Sequence, residues 1–128
     1  MFLLDTNIVI AFLKGEPIIS EKVLSQIDHV ALSSLVVAEL DYGAKASQNS
    51  IKNLEKLYSF ISLTEVIVFD LECAKTFGTI KSKLRVFGKP TGEVDALLAV
   101  TAIAHNAALV TKNRKHFENI EGLKLEVW

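Results

Sequence analysis

Short apolar runs alternate along this chain with longer segments whose apolar positions recur at helical spacing. Phe2–Leu4 predicts a short buried strand. Asp5, Thr6 and Asn7 are all capping-type residues, and Ile8–Leu13 continues from them as a helix toward Gly15, a natural stop. Pro17 suits the first turn of a second helix that ends near Ile27. His29–Leu32 reads as a strand. Ser33 and Ser34 can cap a helix over Leu35–Ala46, and the helix Ile51–Ile61 carries Leu54, Leu57, Tyr58 and Ile61 along one stripe. Val66–Phe69 is β-branched and aromatic, which predicts a strand, and Leu71–Val86 a long helix. Gly88-Lys89-Pro90-Thr91-Gly92 is the clearest loop. Beyond it, Glu93–Ala107 is a helix apolar nearly all round, Ala108–Val110 a short strand, Arg114–Phe117 a short helix and Leu123–Trp128 a final strand.

Strands separated by helices predict an α/β fold of three layers, with a central, mainly parallel sheet flanked by helices. With 128 residues and no linker or repeat, residues 1–128 form one domain. Half of the residues are apolar, which excludes a disordered chain. The formal charge of −1 excludes a grossly cationic nucleic-acid coat but leaves room for a local basic patch. Cys73 is the only cysteine, so there is neither an intrachain disulfide nor a Cys-rich zinc site. No apolar run approaches the length of about 20 residues that a membrane span needs, and Asp5 interrupts the apolar N-terminus before it can serve as a signal peptide. A cytoplasmic setting without a membrane partner is expected.

Phosphate-binding glycine loops, nucleophile elbows and paired-histidine metal motifs are missing, and His29, His105 and His116 are scattered. What remains is acids in apolar surroundings. Asp5 follows a strand and precedes a helix, a position at the carboxyl edge of a parallel sheet where ligands bind. It is either a ligand-binding carboxylate or a plain helix cap, and Thr6 and Asn7 could take over the capping role. Asp95 stands beside the run Ala96–Val100, where an ionised carboxylate needs a counter-charge, hydrogen bonds or a metal; favourable placement near a helix N-terminus is the alternative. Glu39 interrupts a mostly apolar helix surface or lies on its solvated face. Asn113 follows a strand, either as a donor and acceptor for water or a cation or as a helix cap.

The four positions can converge at one crevice. Three carboxylates crowded there need a cation, and oxygen-only ligation favours Mg²⁺ or Mn²⁺. Basic residues around this centre, among them Arg85, Lys89, Lys112 and Arg114, are either a contact strip for an RNA backbone or ordinary solvated surface.

At these residues the chain resembles the PIN-domain ribonucleases, particularly the VapC-type toxins of prokaryotic toxin–antitoxin pairs. The resemblance runs from Leu3-Leu4-Asp5-Thr6-Asn7 through Ser33–Leu40 and Gly88–Asp95 to Leu109–Asn113 and Trp128. It implies a PIN-like fold, in which Asp5, Glu39 and Asp95 hold Mg²⁺ or Mn²⁺ and Thr6, Asn7 and Thr111 support them by hydrogen bonds. Asn113 falls where many members carry a fourth Asp, which would weaken a second metal site. The implied activity is hydrolysis of RNA phosphodiesters by an endoribonuclease in which Asp5, Glu39, Asp95 and Asn113 are catalytic. The resemblance also implies a homodimer and a cognate antitoxin that covers the active-site groove. The competing expectation is a catalytically degenerate PIN-like module that binds RNA or a partner.

Overall fold

A computed structural model describes residues 1–86, 88 and 91–128. Its elements in chain order are β1 (Phe2–Leu4), α1 (Thr6–Leu13), α2 (Pro17–Ser25), β2 (Val30–Ser33), α3 (Ser34–Lys45), α4 (Ser50–Ile61), β3 (Glu65–Ile67), α5 (Leu71–Val86), α6 (Glu93–Ala104), β4 (Ala108–Thr111) and β5 (Lys124–Val127). Short 3₁₀ turns occupy Ile27–His29 and Arg114–His116. The expected loop after α5 falls partly on Lys89 and Pro90, which lie outside the described residues. Gly88 takes a left-handed φ of 64°, a conformation that favours glycine.

All strand pairings are parallel, in the order β3-β2-β1-β4-β5. Successive crossovers β1→β2→β3 step one way from β1, and the return to β4 steps the other way. The right-handed crossover rule then puts α1–α4 over one face and α5 and α6 over the other. Most helix contacts divide accordingly: α1 meets α2 and α3, α3 meets α4, and α5 and α6 pack against each other, while α3 also reaches α6 past the sheet edge that carries the crevice. The central strand pays for this covering with an unbroken apolar sequence, and Leu3 and Leu4 are fully buried.

Several boundaries differ from the sequence expectation for local reasons. His29 belongs to a 3₁₀ turn, so β2 starts at Val30 and runs on to Ser33, whose hydroxyl accepts the Leu35 N–H and starts α3. The third strand pairs over Glu65–Ile67 in register with Ala31–Ser33, not over Val66–Phe69. Helix α6 stops at Ala104, three residues before the expected end, because Asn106 adopts a left-handed φ of 53°. The nearly all-round apolar character of α6 reflects real burial: Ala96, Leu98, Ala99, Val100 and Ala102 are all in the core.

Candidate active site

Strand β1 lies where the sheet order reverses, between β2 and β4, and Asp5 leaves its carboxyl end. Such a reversal opens a crevice between diverging crossovers. The Asp5 N–H donates to the Val110 carbonyl at 2.8 Å, which ties this turn to β4. Its side chain is nearly buried and doubly held: Oδ1 accepts the Thr6 N–H at 2.8 Å and Oδ2 accepts the Thr111 hydroxyl at 2.7 Å. Asp5 is therefore itself the N-cap of α1, and neither Thr6 nor Asn7 relieves it of that role. Capping and ligand binding do not compete, because a carboxylate has about four lone-pair sites and two are used.

Thr6, freed from capping, turns its hydroxyl outward and donates to Glu39 Oε2 at 2.9 Å. Glu39 comes from α3, which touches both α1 and α6. Asp95 comes from the first turn of α6. Together Asp5, Thr6, Asn7, Glu39, Asp95 and His116 wall a crevice of about 250 Å³, with Val36 and Leu98 among its apolar lining. Burial pushes the Asp95 carboxyl above its ordinary value. Facing His116 pulls it part of the way back, and the negative charges of Asp5 and Glu39 push it up again. The charges of Asp5 and Glu39 thus reach Asp95 across the crevice.

Asn7 and Thr111 form a brace beneath Asp5. The Thr111 hydroxyl accepts the Asn113 N–H at 3.0 Å and faces Asn7 Nδ2 at 3.5 Å, and Asn7 Oδ1 accepts the Lys112 N–H at 3.3 Å. Asn113 makes no capping bond to the turn that follows it. Its side-chain amide instead meets His116 Nε2 at 2.9 Å, while His116 Nδ1 lies 3.1 Å from Asp95 Oδ2. With the ring neutral and Nδ1–H donating to Asp95, Nε2 accepts from the Asn113 amide. The Asn113 side chain therefore reaches Asp95 through His116, while its N–H reaches Asp5 through the Thr111 hydroxyl. In the sequence His116 is only one of three scattered histidines, and its spacing of one turn from Asn113 is the available signal.

Of the expected basic strip, Arg85, Lys112 and Arg114 fall on described residues. Lys112 Nζ is paired with Glu16 at 2.7 Å. Arg114 is exposed on the 3₁₀ turn that carries His116, and Arg85 is exposed in the last turn of α5. Lys89 lies outside the described residues. An adjoining groove of about 490 Å³ shares Thr6 and Glu39 with the crevice and runs between α1, α3 and α4, lined by Ile10, Leu13, Leu40 and Leu57 with Lys14 and Lys56 among its polar residues.

Residues 2–123 match the PIN domain family. The chain is 37% identical over 131 residues to Ribonuclease VapC2 of Rickettsia felis, with 100% of this chain and 98% of the relative covered. It is 34% identical over 128 residues to the tRNA(fMet)-specific endonuclease VapC of Shigella flexneri, covering 99% and 97% of the two chains. A crystal structure of VapBC2 from Rickettsia felis, bound to a DNA fragment from its promoter, superposes with a TM-score of 0.93 at 36% identity and covers 99% of this chain and 98% of that one.

Proposed function

The chain belongs to the PIN domain family, and on that premise we propose that it is a divalent-metal-dependent endoribonuclease, the toxin of a toxin–antitoxin pair. The observation that carries this reading is the convergence of Asp5, Glu39 and Asp95 on one crevice at the reversal of the sheet. The donor set fits Mg²⁺ or Mn²⁺: every donor is a carboxylate oxygen, and Asp95 is held toward its neutral form by burial and by like charges that a cation would offset. Asp5 and Asp95 would hold the ion, with Glu39 as a further ligand or a water-orienting base. A bound divalent cation supplies acidification of a coordinated water and neutralisation of charge growing on the phosphoryl group.

The chain's own residues supply position. Asp5 is fixed by its two hydrogen bonds, so its free lone pairs have a defined direction. Thr6 restrains the otherwise exposed Glu39, so that an oxygen remains to accept a proton from an attacking water. His116, held by Asn113, presents Nδ1–H to Asp95 and fixes its rotamer. Asn113 thereby assists through His116. Arg114, with Arg85 and Lys89 as further candidates, would contact the phosphate backbone. No covalent enzyme intermediate is required.

Purified protein should cleave RNA in Mg²⁺ or Mn²⁺ and lose cleavage in excess EDTA, with recovery when the metal is restored. Transfer RNA is the first substrate to test, since one relative is named for it. Cleavage unaffected by chelation would refute the metal reading. Metal binding without any RNA cleavage would leave the partner-binding alternative. Thr6→Val keeps the shape of the side chain but releases Glu39. It should lower kcat/KM about 10-fold in steady-state cleavage while leaving the melting temperature nearly unchanged.

The antitoxin is expected to lie along the groove between α1, α3 and α4, where apolar walls suit an amphipathic segment and the open end reaches Glu39. Homodimerisation is part of the same proposal, and exposed Ile51, Leu63, Val68 and Leu71 leave apolar surface for it. Among the described residues no helix is long and apolar enough to cross a membrane. A cytoplasmic site of action, where RNA and antitoxin meet, completes the reading.

A further inference from the structure

Away from the acidic crevice, the packing of α5 against α6 brings together three side chains of different ligand chemistry. One ligand atom each from Asp70, Cys73 and His105 lie within 4.8 Å of one another. Asp70 precedes α5, and its Oδ1 accepts the Cys73 N–H at 3.0 Å. That bond orients the carboxylate over the first turn of the helix, where it also accepts from the Cys73 thiol. His105 caps the far end of α6 and sets Nε2 3.5 Å from Asp70 Oδ2. This separation is too long for a good hydrogen bond. Nε2 is buried from solvent and has no hydrogen-bond partner. The Cys73 thiol completes the triangle from inside, on a residue with no exposed surface. Thr101 stands beside the thiol, but its hydroxyl proton is directed to the Leu97 carbonyl at 2.8 Å.

An orphaned buried nitrogen is costly unless something satisfies it. Asp70 alone does not, and the cluster lies close to the surface: the Asp70 and His105 side chains are 42% and 31% exposed, although Nε2 itself is covered. We propose that Asp70, Cys73 and His105 form a second, transition-metal site of the Zn²⁺ class, distinct from the acidic crevice. Sulfur, imidazole nitrogen and one carboxylate oxygen suit a borderline-soft ion, whereas the crevice offers only oxygen. A water would take the fourth position. On binding, the metal replaces the thiol proton, which leaves to solvent. The ion's two positive charges are then balanced by one thiolate and one carboxylate, with His105 neutral. Asp95 and His105 sit at opposite ends of α6, about 15 Å apart along its axis, so neither site intrudes on the other. The ion would clamp the first turn of α5 to the last turn of α6.

The sequence holds neither a Cys-rich zinc motif nor a histidine pair at ligand spacing. The site proposed here mixes one residue of each kind, and only the packing of two helices brings them together.

Cobalt is the direct probe, because a thiolate ligand gives Co²⁺ an intense near-ultraviolet charge-transfer band that carboxylates cannot give. Metal-free full-length protein titrated with Co²⁺ should develop this band at one equivalent, and Zn²⁺ should bleach it. Cys73→Ser should abolish the band, and Asp70→Asn or His105→Gln should weaken Co²⁺ binding by about 10-fold or more. These last two replace accessible residues, so they keep the test open if the core change at Cys73 disturbs folding. Asp5→Asn should leave the band intact. A wild-type spectrum without the band, or one lost in Asp5→Asn but kept in His105→Gln, overturns the proposal.

Discussion

Replacing Asp5 by Asn should reduce metal-dependent RNA cleavage about 1,000-fold while leaving the protein folded. The expected loss corresponds to roughly 4 kcal/mol of transition-state stabilisation, a fair share of what a bound divalent cation contributes. Asn is the informative substitution because Asp5 has a structural duty as well. Its Oδ1 caps α1 and its Oδ2 accepts the Thr111 hydroxyl. Asn caps a helix about as well as Asp, so the amide oxygen can keep the bond to the Thr6 N–H. The amide NH₂ then faces Thr111, whose hydroxyl can rotate and accept. Asp5→Ala would lose the cap as well and confound the result. Cleavage assays and thermal melts run side by side separate the two roles. Near-normal cleavage by folded Asp5→Asn would end the proposed mechanism. A collapse in stability with metal absent would show that the carboxylate's bond to the Thr111 hydroxyl, rather than a metal, is the main duty of Asp5.

Asp95→Asn should produce an opposite pairing, with activity down about 100-fold or more and metal-free stability up at neutral pH. The stability gain follows from the sign of the perturbation. Burial, with the charges of Asp5 and Glu39, holds the Asp95 carboxyl above its ordinary value despite His116. Between the unfolded and the raised folded value, the native state binds more protons than the unfolded chain. Stability therefore falls as pH rises through that window, and the cost stays in place at neutral pH. Below the unfolded value both states are protonated and Asp95 contributes nothing. Asn cannot ionise, so the difference in melting temperature between Asp95→Asn and wild type should grow from acid toward neutral pH and then level off. Comparing the two proteins removes the opposing contributions of Asp41 and Asp70, whose carboxyls are held below their ordinary values by hydrogen bonds. Added Mg²⁺ should stabilise the wild type, as any ligand of the native state does, and have little effect on the variant. A pH-independent difference, or equal stabilisation of both proteins by Mg²⁺, contradicts this account of the crevice.

Much of the scaffold is legible in the chain because it is written at short range. Leu71–Val86 is a helix over the expected residues, and Ile51–Ile61 begins one residue early at Ser50. Helical periodicity needs only neighbours one turn apart, and the alternation of helices with apolar strands suffices for a covered parallel sheet. Where the expectations slipped, a single backbone dihedral or pairing register was decisive. Asn106 ended α6, and the pairing of β3 with β2 moved the strand from Val66–Phe69 to Glu65–Ile67.

The acids could be singled out one at a time, since a carboxylate in an apolar run is anomalous wherever the chain goes. Their partners could not. Asp5 meets Thr111 because β4 returns beside β1, Thr6 meets Glu39 because α1 and α3 pack side by side, and His116 reaches Asp95 from a turn that follows a different strand. Asp70 and Cys73 are neighbours at the start of α5, but His105 joins them only through the crossing of α5 and α6. Local patterning thus decides which segments are helices or strands and which polar groups face the interior, because hydrophobic periodicity and backbone propensity act between near neighbours. Which of those groups share a pocket is a long-range matter, and it was settled when the apolar faces of the elements found their one mutually buried arrangement.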